Sequence, residues 1–193
     1  MPARRQLFRR CASALLAVAM LAPPASRLLA QAVSLTPNQH KALYLYNFAK
    51  YTEWPKEAFA SDEAPFVLGI LGKEDQFGRD IDIIKGKLVK GRKLEIRRYL
   101  SVQEVTDCQL LFIALSETNN LVQILKVLEK TSILTIAEVE GFLQARGMIN
   151  LLTEKKNTGT QTVSFEINLP AAQRANLKLD AQLLRLARNI LRT

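Results

Sequence analysis

The sequence predicts an α/β fold with three layers, in which a mostly parallel sheet is flanked by helices. Two observations lead to this prediction. From Phe66 onward, short and continuously apolar runs, typical of buried strands, alternate with amphipathic segments. Further along, two strand-like runs surround a Lys-Lys-Asn-Thr-Gly-Thr turn, which is the pattern of a hairpin. We therefore expect the parallel sheet to end in a C-terminal antiparallel strand pair.

Residues 1–32 have the pattern of an export signal. A basic start precedes the apolar run from Cys11 to Ala22, which is too short to span a bilayer, and Ala30-Gln31-Ala32 is a small-x-small cleavage site. We therefore expect secretion and a mature chain that begins near Val33. Residues 33–193 are long enough for a single domain, and we find neither a repeat nor an interdomain linker among them.

A first helix is predicted from about Pro37 to near Thr52, because Thr36 is a natural cap and Pro55 disfavours helical backbone before it. The helix is apolar almost all round, and its composition favours core packing over a functional surface. The residues expected to pack in the core are Leu45, Phe48 and Ala49. The residues whose exposure would mark a contact surface are Asn47, Lys50 and Trp54.

The other elements follow from apolar runs and helical spacing. The predicted strands are FVLGIL (66–71), LEIRRYL (94–100), LLFIAL (110–115), SILTIAE (132–138) and the two runs of the hairpin. The predicted helices are FGRDIDIIKG (77–86), a short helix at the capping box 101–104, LVQILKVLEK (121–130), VEGFLQAR (139–146), AAQRAN (171–176) and AQLLRLARNIL (181–191), the last capped by Asp180.

The charge does not indicate a nucleic-acid partner. The formal net charge of the whole chain is +9, but five arginines lie in the export signal, so the mature chain has 22 basic and 18 acidic residues, a net charge of +4. Seven of those 22 lie in residues 85–98, where a solvated loop and edge strand explain them better than a polyanion site. No segment after the signal reaches about 18 apolar residues, so we expect no membrane-spanning segment there.

The mature chain has few of the side chains that are common in catalytic and metal sites. His40 is the one histidine, and Cys108 is the one cysteine after the signal, so common zinc sites and an intramolecular disulfide are excluded from the mature chain. We predict no enzyme activity, no cofactor and no metal site, and we interpret Cys108 as a buried, unpaired thiol. An enzyme would have to use a group of charged residues near one loop, namely Lys73, Glu74, Asp75 and Asp80.

Several motifs resemble those of the YfiR-like periplasmic proteins. The first helix carries Lys41-Ala42-x-Tyr44-Leu45-Tyr46-Asn47-Phe48-Ala49-Lys50, and Glu53-Trp54-Pro55 follows it. Further matches come in the expected order: Leu71-Gly72, Gly86-Lys87, Gly91-Arg92, Leu111-Phe112-Ile113, Leu134-Thr135, Gly147-Met148-Ile149-Asn150, Phe165-Glu166-Ile167-Asn168-Leu169 and Leu183-Leu184-Arg185-Leu186-Ala187. The resemblance covers nearly the whole mature chain.

This resemblance implies a non-enzymatic regulator in the periplasm. Such a protein binds the periplasmic domain of an inner-membrane diguanylate cyclase and holds the cyclase inactive, which lowers cyclic-di-GMP and limits biofilm formation. An outer-membrane lipoprotein can sequester the regulator, and the family fold tends to form homodimers.

The sequence departs from the family pattern at two positions. Members often have a cysteine in the first strand that pairs with one at the start of the third strand. Here Cys108 takes the third-strand position, whereas Gly69 takes the first, so the resemblance implies that the redox-sensitive bridge is absent. The other departure is Arg146, where the family pattern leads us to expect a glycine.

Candidate contact residues for a partner or ligand come from four regions of the chain. They are Tyr46, Asn47, Lys50, Trp54, Arg146, Met148, Ile149, Arg174, Arg185 and Arg188. A second hypothesis is a periplasmic small-molecule binding module for a sensor or transport system, which would use the crevice at the carboxyl ends of the parallel strands.

Overall fold

The computed structural model describes residues 35–73, 76–155 and 161–192, so the predicted export signal lies outside the described residues. The α-helices are α1 (Pro37–Lys50), α2 (Leu121–Leu128), α3 (Leu169–Arg174) and α4 (Ala181–Leu186). The strands are β1 (Thr52–Glu53), β2 (Phe66–Leu71), β3 (Leu88–Val89), β4 (Arg92–Tyr99), β5 (Leu110–Ile113), β6 (Leu134–Ala137), β7 (Ile149–Lys155), β8 (Gln161–Asn168), β9 (Lys178–Leu179) and β10 (Asn189–Leu191).

The strands form an eight-stranded sheet and a separate two-stranded sheet. The order in the large sheet is β10-β8-β7-β6-β5-β2-β4-β3, and β1 pairs antiparallel with β9. From β7 to β4 all neighbours in the large sheet are parallel, and so are β8 and β10. The pairs β7–β8 and β3–β4 are antiparallel. The prediction of a mostly parallel sheet with an antiparallel pair near the C-terminus is confirmed.

Helix α1 begins where the sequence predicts. The Thr36 hydroxyl accepts a hydrogen bond from the Gln39 backbone amide, and the Gln39 side chain accepts one from the Thr36 amide, so the two form a capping box. The core side of the helix contains Leu45, Phe48 and Ala49, all fully buried, as predicted. Phe48 packs edge-on against Phe165 of β8, with 4.9 Å between the ring centroids, and this contact seats α1 on the sheet.

Three predicted helices differ from those in the structure. The 77–86 segment contains only a 3₁₀-helix, Asp80–Ile84, because a spacing of three between Ile81 and Ile84 suits a 3₁₀-helix as well as an α-helix. Residues 139–146 form turns instead of a helix, and Gly141 there has a φ of +77°. The segment 181–191 is helical only as far as Leu186, and its last residues form β10 beside β8.

The capping box predicted at residues 101–104 is also altered. The segment forms a 3₁₀-helix, Val102–Glu104, in which the Ser101 hydroxyl accepts from the Gln103 amide. The Glu104 carboxylate accepts from the Leu100 amide instead of the Ser101 amide. The shorter helix moves both bonds by one residue compared with an α-helical capping box.

A hydrophobic core covers each face of the large sheet. One core contains the buried residues of α1, α3 and the 3₁₀-helix Asp80–Ile84, and the other contains those of α2 with Phe142 and Leu143. The fold therefore has the three layers that the sequence predicts. Within the described ranges, no helix is long and apolar enough to cross a membrane.

Candidate functional site

A cleft of about 270 Å³ opens beside helix α2, at the amino ends of β6 and β7. Thr135 lies near the start of β6, Met148 directly precedes β7, and α3 follows the end of β8, which is antiparallel to β7. The residues that line the cleft are Val122, Leu125, Lys126, Leu128, Glu129, Thr135, Arg146, Met148, Ala171 and Arg174. The cleft thus lies at the strand ends opposite to the carboxyl-end crevice expected for a small-molecule module.

The lining combines an apolar interior with a basic rim. Leu125, Leu128, Met148 and Ala171 are buried and supply the apolar part. The rim carries the three cationic side chains of Lys126, Arg146 and Arg174, and one carboxylate, that of Glu129. Such a lining favours an anionic group that is attached to an apolar body.

The rim charges are only partly paired. Arg146 Nη1 lies 3.0 Å from Glu129 Oε1, and both side chains are largely exposed, so this ion pair contributes little to stability. Among the residues that the structure describes, Lys126 and Arg174 form no ion pair. These two cations are therefore available to a bound carboxylate or phosphate.

The backbone holds Arg146 in a left-handed conformation at the mouth of the cleft, with a φ of +75°. This is the position where the family pattern led us to expect a glycine, which adopts such a φ without strain. The next residue, Gly147, is buried against Phe142, and Thr135 Oγ1 accepts a hydrogen bond from the Met148 amide over 3.2 Å. The chain that follows Arg146 is therefore held in place by both contacts.

The structure brings together three of the predicted contact residues. Arg146, Met148 and Arg174 all line the cleft, although they come from two separate regions of the chain. Ile149 follows Met148 but is fully buried in β7, where its side chain is part of the core.

The predicted contact residues of α1 lie away from the cleft. Asn47 and Lys50 are exposed, whereas Tyr46 is half-buried. The Tyr46 hydroxyl donates to the Leu88 carbonyl over 3.0 Å, so it contacts the other edge of the sheet. These three residues therefore belong to a second surface.

The side chain of Trp54 is held by contacts with neighbouring residues and is not a free surface side chain. Its Nε1 donates to the Gln109 carbonyl over 3.0 Å, and its ring packs edge-on against Phe66 with 5.0 Å between centroids. The Gln109 side chain, which is buried, accepts from the Val67 amide and donates to the Ala58 carbonyl. Trp54 and Gln109 together close the amino ends of β2 and β5.

The two remaining predicted arginines lie in the C-terminal segment. Arg185 is exposed on α4, and Arg188 follows that helix. Arg188 forms an ion pair with Glu154 of β7, which connects the segment to the β7–β8 hairpin. Neither arginine lines the cleft.

Cys108 is a free, buried cysteine beside Gly69. A Cβ built on Gly69 would lie 2.9 Å from Cys108 Sγ, so the position without a cysteine in this chain directly faces Cys108. Burial is the main cause that raises the pKa of the Cys108 thiol, from 9.0 to about 12. The thiol is therefore protonated at neutral pH and is a poor nucleophile.

Two of the four charged residues that an enzyme would require, Lys73 and Asp80, lie in the described part of the chain. Asp80 Oδ2 accepts a hydrogen bond from the Thr36 hydroxyl over 2.8 Å, and Lys73 is exposed. Glu74 and Asp75 lie outside the described residues. The described part of the chain contains no group of three His, Cys, Asp or Glu side chains that could hold a metal ion.

The sequence analysis missed the contribution of α2 to the cleft. Leu121, Ile124, Leu125 and Leu128 are buried, as their spacing predicts. The adjacent side presents Lys126 and Glu129 to the cleft, together with Val122, which is 71% exposed. An exposed valine on the polar face of an amphipathic helix is the one signal that indicated this surface.

Comparisons with known proteins agree with this fold. The profile of the DUF4154 family, described as YfiR/HmsC-like, matches residues 38–188. No curated protein matches the chain significantly.

Two solved structures share the fold at 10% sequence identity and a TM-score of 0.50. One is an ABC domain in complex with L-Trp from Streptococcus pneumonia, for which the match covers 80% of this chain and 60% of that one. The other is a conserved domain protein from Vibrio cholerae, with coverages of 82% and 61%. The chain thus spans about three fifths of the length of each.

Proposed function

Because the chain belongs to the YfiR/HmsC-like family, we propose that it inhibits an inner-membrane diguanylate cyclase by docking on the periplasmic domain of that cyclase. The family assignment implies a periplasmic regulator of cyclic-di-GMP synthesis. The proposal adds the mode of action, export through the N-terminal signal peptide, control of biofilm formation, a homodimeric state and release by an outer-membrane lipoprotein. The match over residues 38–188 is the observation that carries it.

The cleft is the surface that best supports this mode of action. Its interior is apolar and includes Met148, and its rim carries Arg146 and Arg174; methionine and arginine are both enriched at protein interfaces. We propose that an acidic and apolar segment of the cyclase enters the cleft, with Lys126 and Arg174 facing its carboxylates.

Docking inhibits the cyclase only if it distinguishes between two states of the partner. The regulator must bind the inactive arrangement of the cyclase more tightly than the active one. Equal affinity for both would leave the populations of the two states unchanged. A ligand or lipoprotein that competes for the cleft would then restore activity, because it removes this difference in affinity.

Co-expression with a cyclase that has a periplasmic domain tests the proposal. The unmodified protein should lower cellular cyclic-di-GMP, and Arg174→Glu should abolish this effect, because arginine hot spots contribute about 2 kcal/mol, or about 30-fold in affinity. Arg185→Glu is the matched control, since Arg185 is an exposed helical arginine outside the cleft. Purified cyclase periplasmic domain should bind the control variant normally.

The proposal fails if deletion of the gene leaves cyclic-di-GMP and biofilm unchanged while the cyclase is expressed. It fails equally if Arg174→Glu and Arg185→Glu act alike, because the cleft would then have no particular role.

A second candidate function is small-molecule binding, and the cleft itself favours it. A volume of about 270 Å³ admits a compact ligand, and the basic rim suits a carboxylate. A thermal-shift screen of small amphipathic anions distinguishes the two functions. A strong shift that occurs without any partner and disappears in Arg174→Glu would favour a binding module.

A further inference from the structure

A lysine-rich edge lies at the end of the sheet formed by β3 and β4, several strands away from the cleft at β6 and β7. The connecting residues, Lys90 and Gly91, have φ values of +50° and +83°, which are those of a two-residue type I′ turn. The Leu94 amide donates to the Lys87 carbonyl, and the Gly86 amide donates to the Leu94 carbonyl. These bonds make the hairpin an ordered part of the fold.

Four lysines and a leucine define this lysine edge. They are Lys50, Lys87, Lys90, Lys93 and Leu88. Leu88 is 62% exposed and pairs directly with Lys93, so the two side chains share one face of the hairpin. Val89 points the other way and is fully buried, which fixes the outward orientation of Leu88.

Tyr46 of α1 joins the lysines on the other face of the hairpin. Its ring centroid lies 5.6 Å from Lys50 Nζ and 5.9 Å from Lys87 Nζ, and its hydroxyl is bonded to the Leu88 carbonyl. Lys50 and Lys87 therefore lie beside Tyr46, next to the face of the hairpin that packs on the core, while Lys90 lies in the turn.

Few carboxylates face these lysines. Lys90 shares a shallow cleft with Lys178, Glu53 and Asp180, and Glu53 lies opposite Lys178 in the β1–β9 pair. Asp180 Oδ1 already accepts a hydrogen bond from the Gln182 amide. In the described ranges none of the four lysines of the edge forms an ion pair, so a cationic excess remains.

The one arginine of this hairpin turn region is not available to a partner. Arg92 Nη1 donates to the carbonyls of Ser61 and Ala64, and its guanidinium lies 4.0 Å from the centroid of the Phe59 ring. The accessible cations are therefore ammonium groups, which act as mobile point charges and lack the planar fork that recognises a single phosphate or carboxylate. This chemistry suits a diffuse anionic surface better than one defined site.

We propose that the lysine edge binds the surface of a membrane that contains anionic phospholipids. Clusters of four or more basic residues are attracted to such membranes, and all four lysines of the edge are exposed. Leu88, exposed among them, enters the boundary between headgroups and acyl chains, as apolar residues of peripheral proteins do. The protein is thereby held on the membrane surface without spanning it.

Sedimentation of the purified exported protein with vesicles tests this proposal. Binding should occur with vesicles rich in phosphatidylglycerol, weaken with added salt, and be absent with phosphatidylcholine alone. The triple variant Lys87→Gln, Lys90→Gln and Lys93→Gln should bind up to about a hundredfold more weakly, because each lysine near an anionic surface contributes about fivefold. Leu88→Ser should lower the affinity by about tenfold, since an apolar side chain is no longer buried.

The matched control removes three exposed lysines elsewhere, with Lys73→Gln, Lys130→Gln and Lys155→Gln. This variant has the same net charge as the first and should still bind. The proposal is overturned if both triple variants bind equally weakly, or if the protein binds soluble polyphosphate but not the vesicles. No cyclase is present in the assay, so its outcome is independent of the proposed inhibitory function.

Discussion

Lys41 and Glu138 form a largely buried ion pair that joins helix α1 to the segment after β6. Lys41 Nζ lies 2.6 Å from Glu138 Oε2, and the two side chains are 11% and 24% exposed. Lys41 is part of the helix motif that the sequence shares with its family. The contact explains why a lysine can occupy the buried side of this helix.

Removing one partner of this pair should destabilise the protein more than removing both. Lys41→Ala leaves the Glu138 carboxylate without its cation, and we expect the free energy of unfolding to fall by about 3 kcal/mol. The double variant Lys41→Met and Glu138→Leu should recover most of this loss, because no buried charge remains. Urea unfolding measures both, and equal losses in the two variants would contradict this account.

Gly147→Ala should be strongly destabilising. A Cβ at this position would lie 2.3 Å from Cε1 of the buried Phe142 ring, and overpacking of this kind costs about 3 kcal/mol. Gly141→Ala is the control, because that position has a φ of +77° but open space around it, so the expected cost is only about 1 kcal/mol. Thermal unfolding should rank the variants in this order, and the reverse order would show that the Phe142 ring can move.

Arg146→Gly should be more stable than Arg146→Ala by about 1 kcal/mol. Both substitutions remove the ion pair with Glu129, so their difference isolates the backbone conformation at a φ of +75°, which glycine adopts without strain. Chemical denaturation of the two variants gives this difference directly. Equal stabilities would mean that the turn relaxes once the arginine side chain is absent.

Stability should decline above pH 9 because of Cys108. The folded protein keeps the thiol proton up to a pKa of about 12, whereas the unfolded chain loses it near the ordinary pKa of 9.0. The contribution is therefore complete below pH 9 and falls between pH 9 and 12, by up to about 1.4 kcal/mol per pH unit.

Cys108→Ala removes this contribution, together with the part of the raised Tyr99 pKa that is due to Cys108. The free energy of unfolding of the variant, measured by urea at several pH values, should fall less steeply than that of the unmodified protein. Parallel curves would contradict the assignment. Thiol reagents at neutral pH should label Cys108 only after unfolding.

The buried strands could be predicted because each consists of consecutive residues that are mostly apolar. β2, β5 and β6 are buried at every position, and each is apolar in the sequence except for Thr135 of β6. The position of α1 was also predictable from nearby residues, since its cap Thr36 directly precedes it and Pro55 follows its end by five residues.

Two of the helix predictions were wrong, one because of a distant contact and the other because of a local backbone conformation. Ile190 and Leu191 continue a helical pattern, but they lie beside β8 and form an edge strand there. Val139, Phe142 and Leu143 have the i, i+3, i+4 spacing of a helix, yet the left-handed Gly141 among them leads into turns. Local periodicity contains no information about the strand that β10 pairs with.

The cleft could be predicted only in part. Arg146 and Met148 were indicated by family motifs, and Arg174 by its place on a helix, but the sequence did not indicate that they meet. Lys126 and Glu129 lie on the polar side of an amphipathic helix, and the pattern of such a helix identifies its buried side alone. Which neighbours the polar side meets depends on strand order.

The cleft lies at the amino ends of β6 and β7, and the turn of the lysine edge precedes β4, so both occur along the same rim of the sheet. Trp54 and Gln109 seal that rim between them. A bilayer bound at the turn of the lysine edge, as proposed above, would therefore lie on the side of the protein where the cleft is, so that a partner in the cleft would be held near the membrane surface.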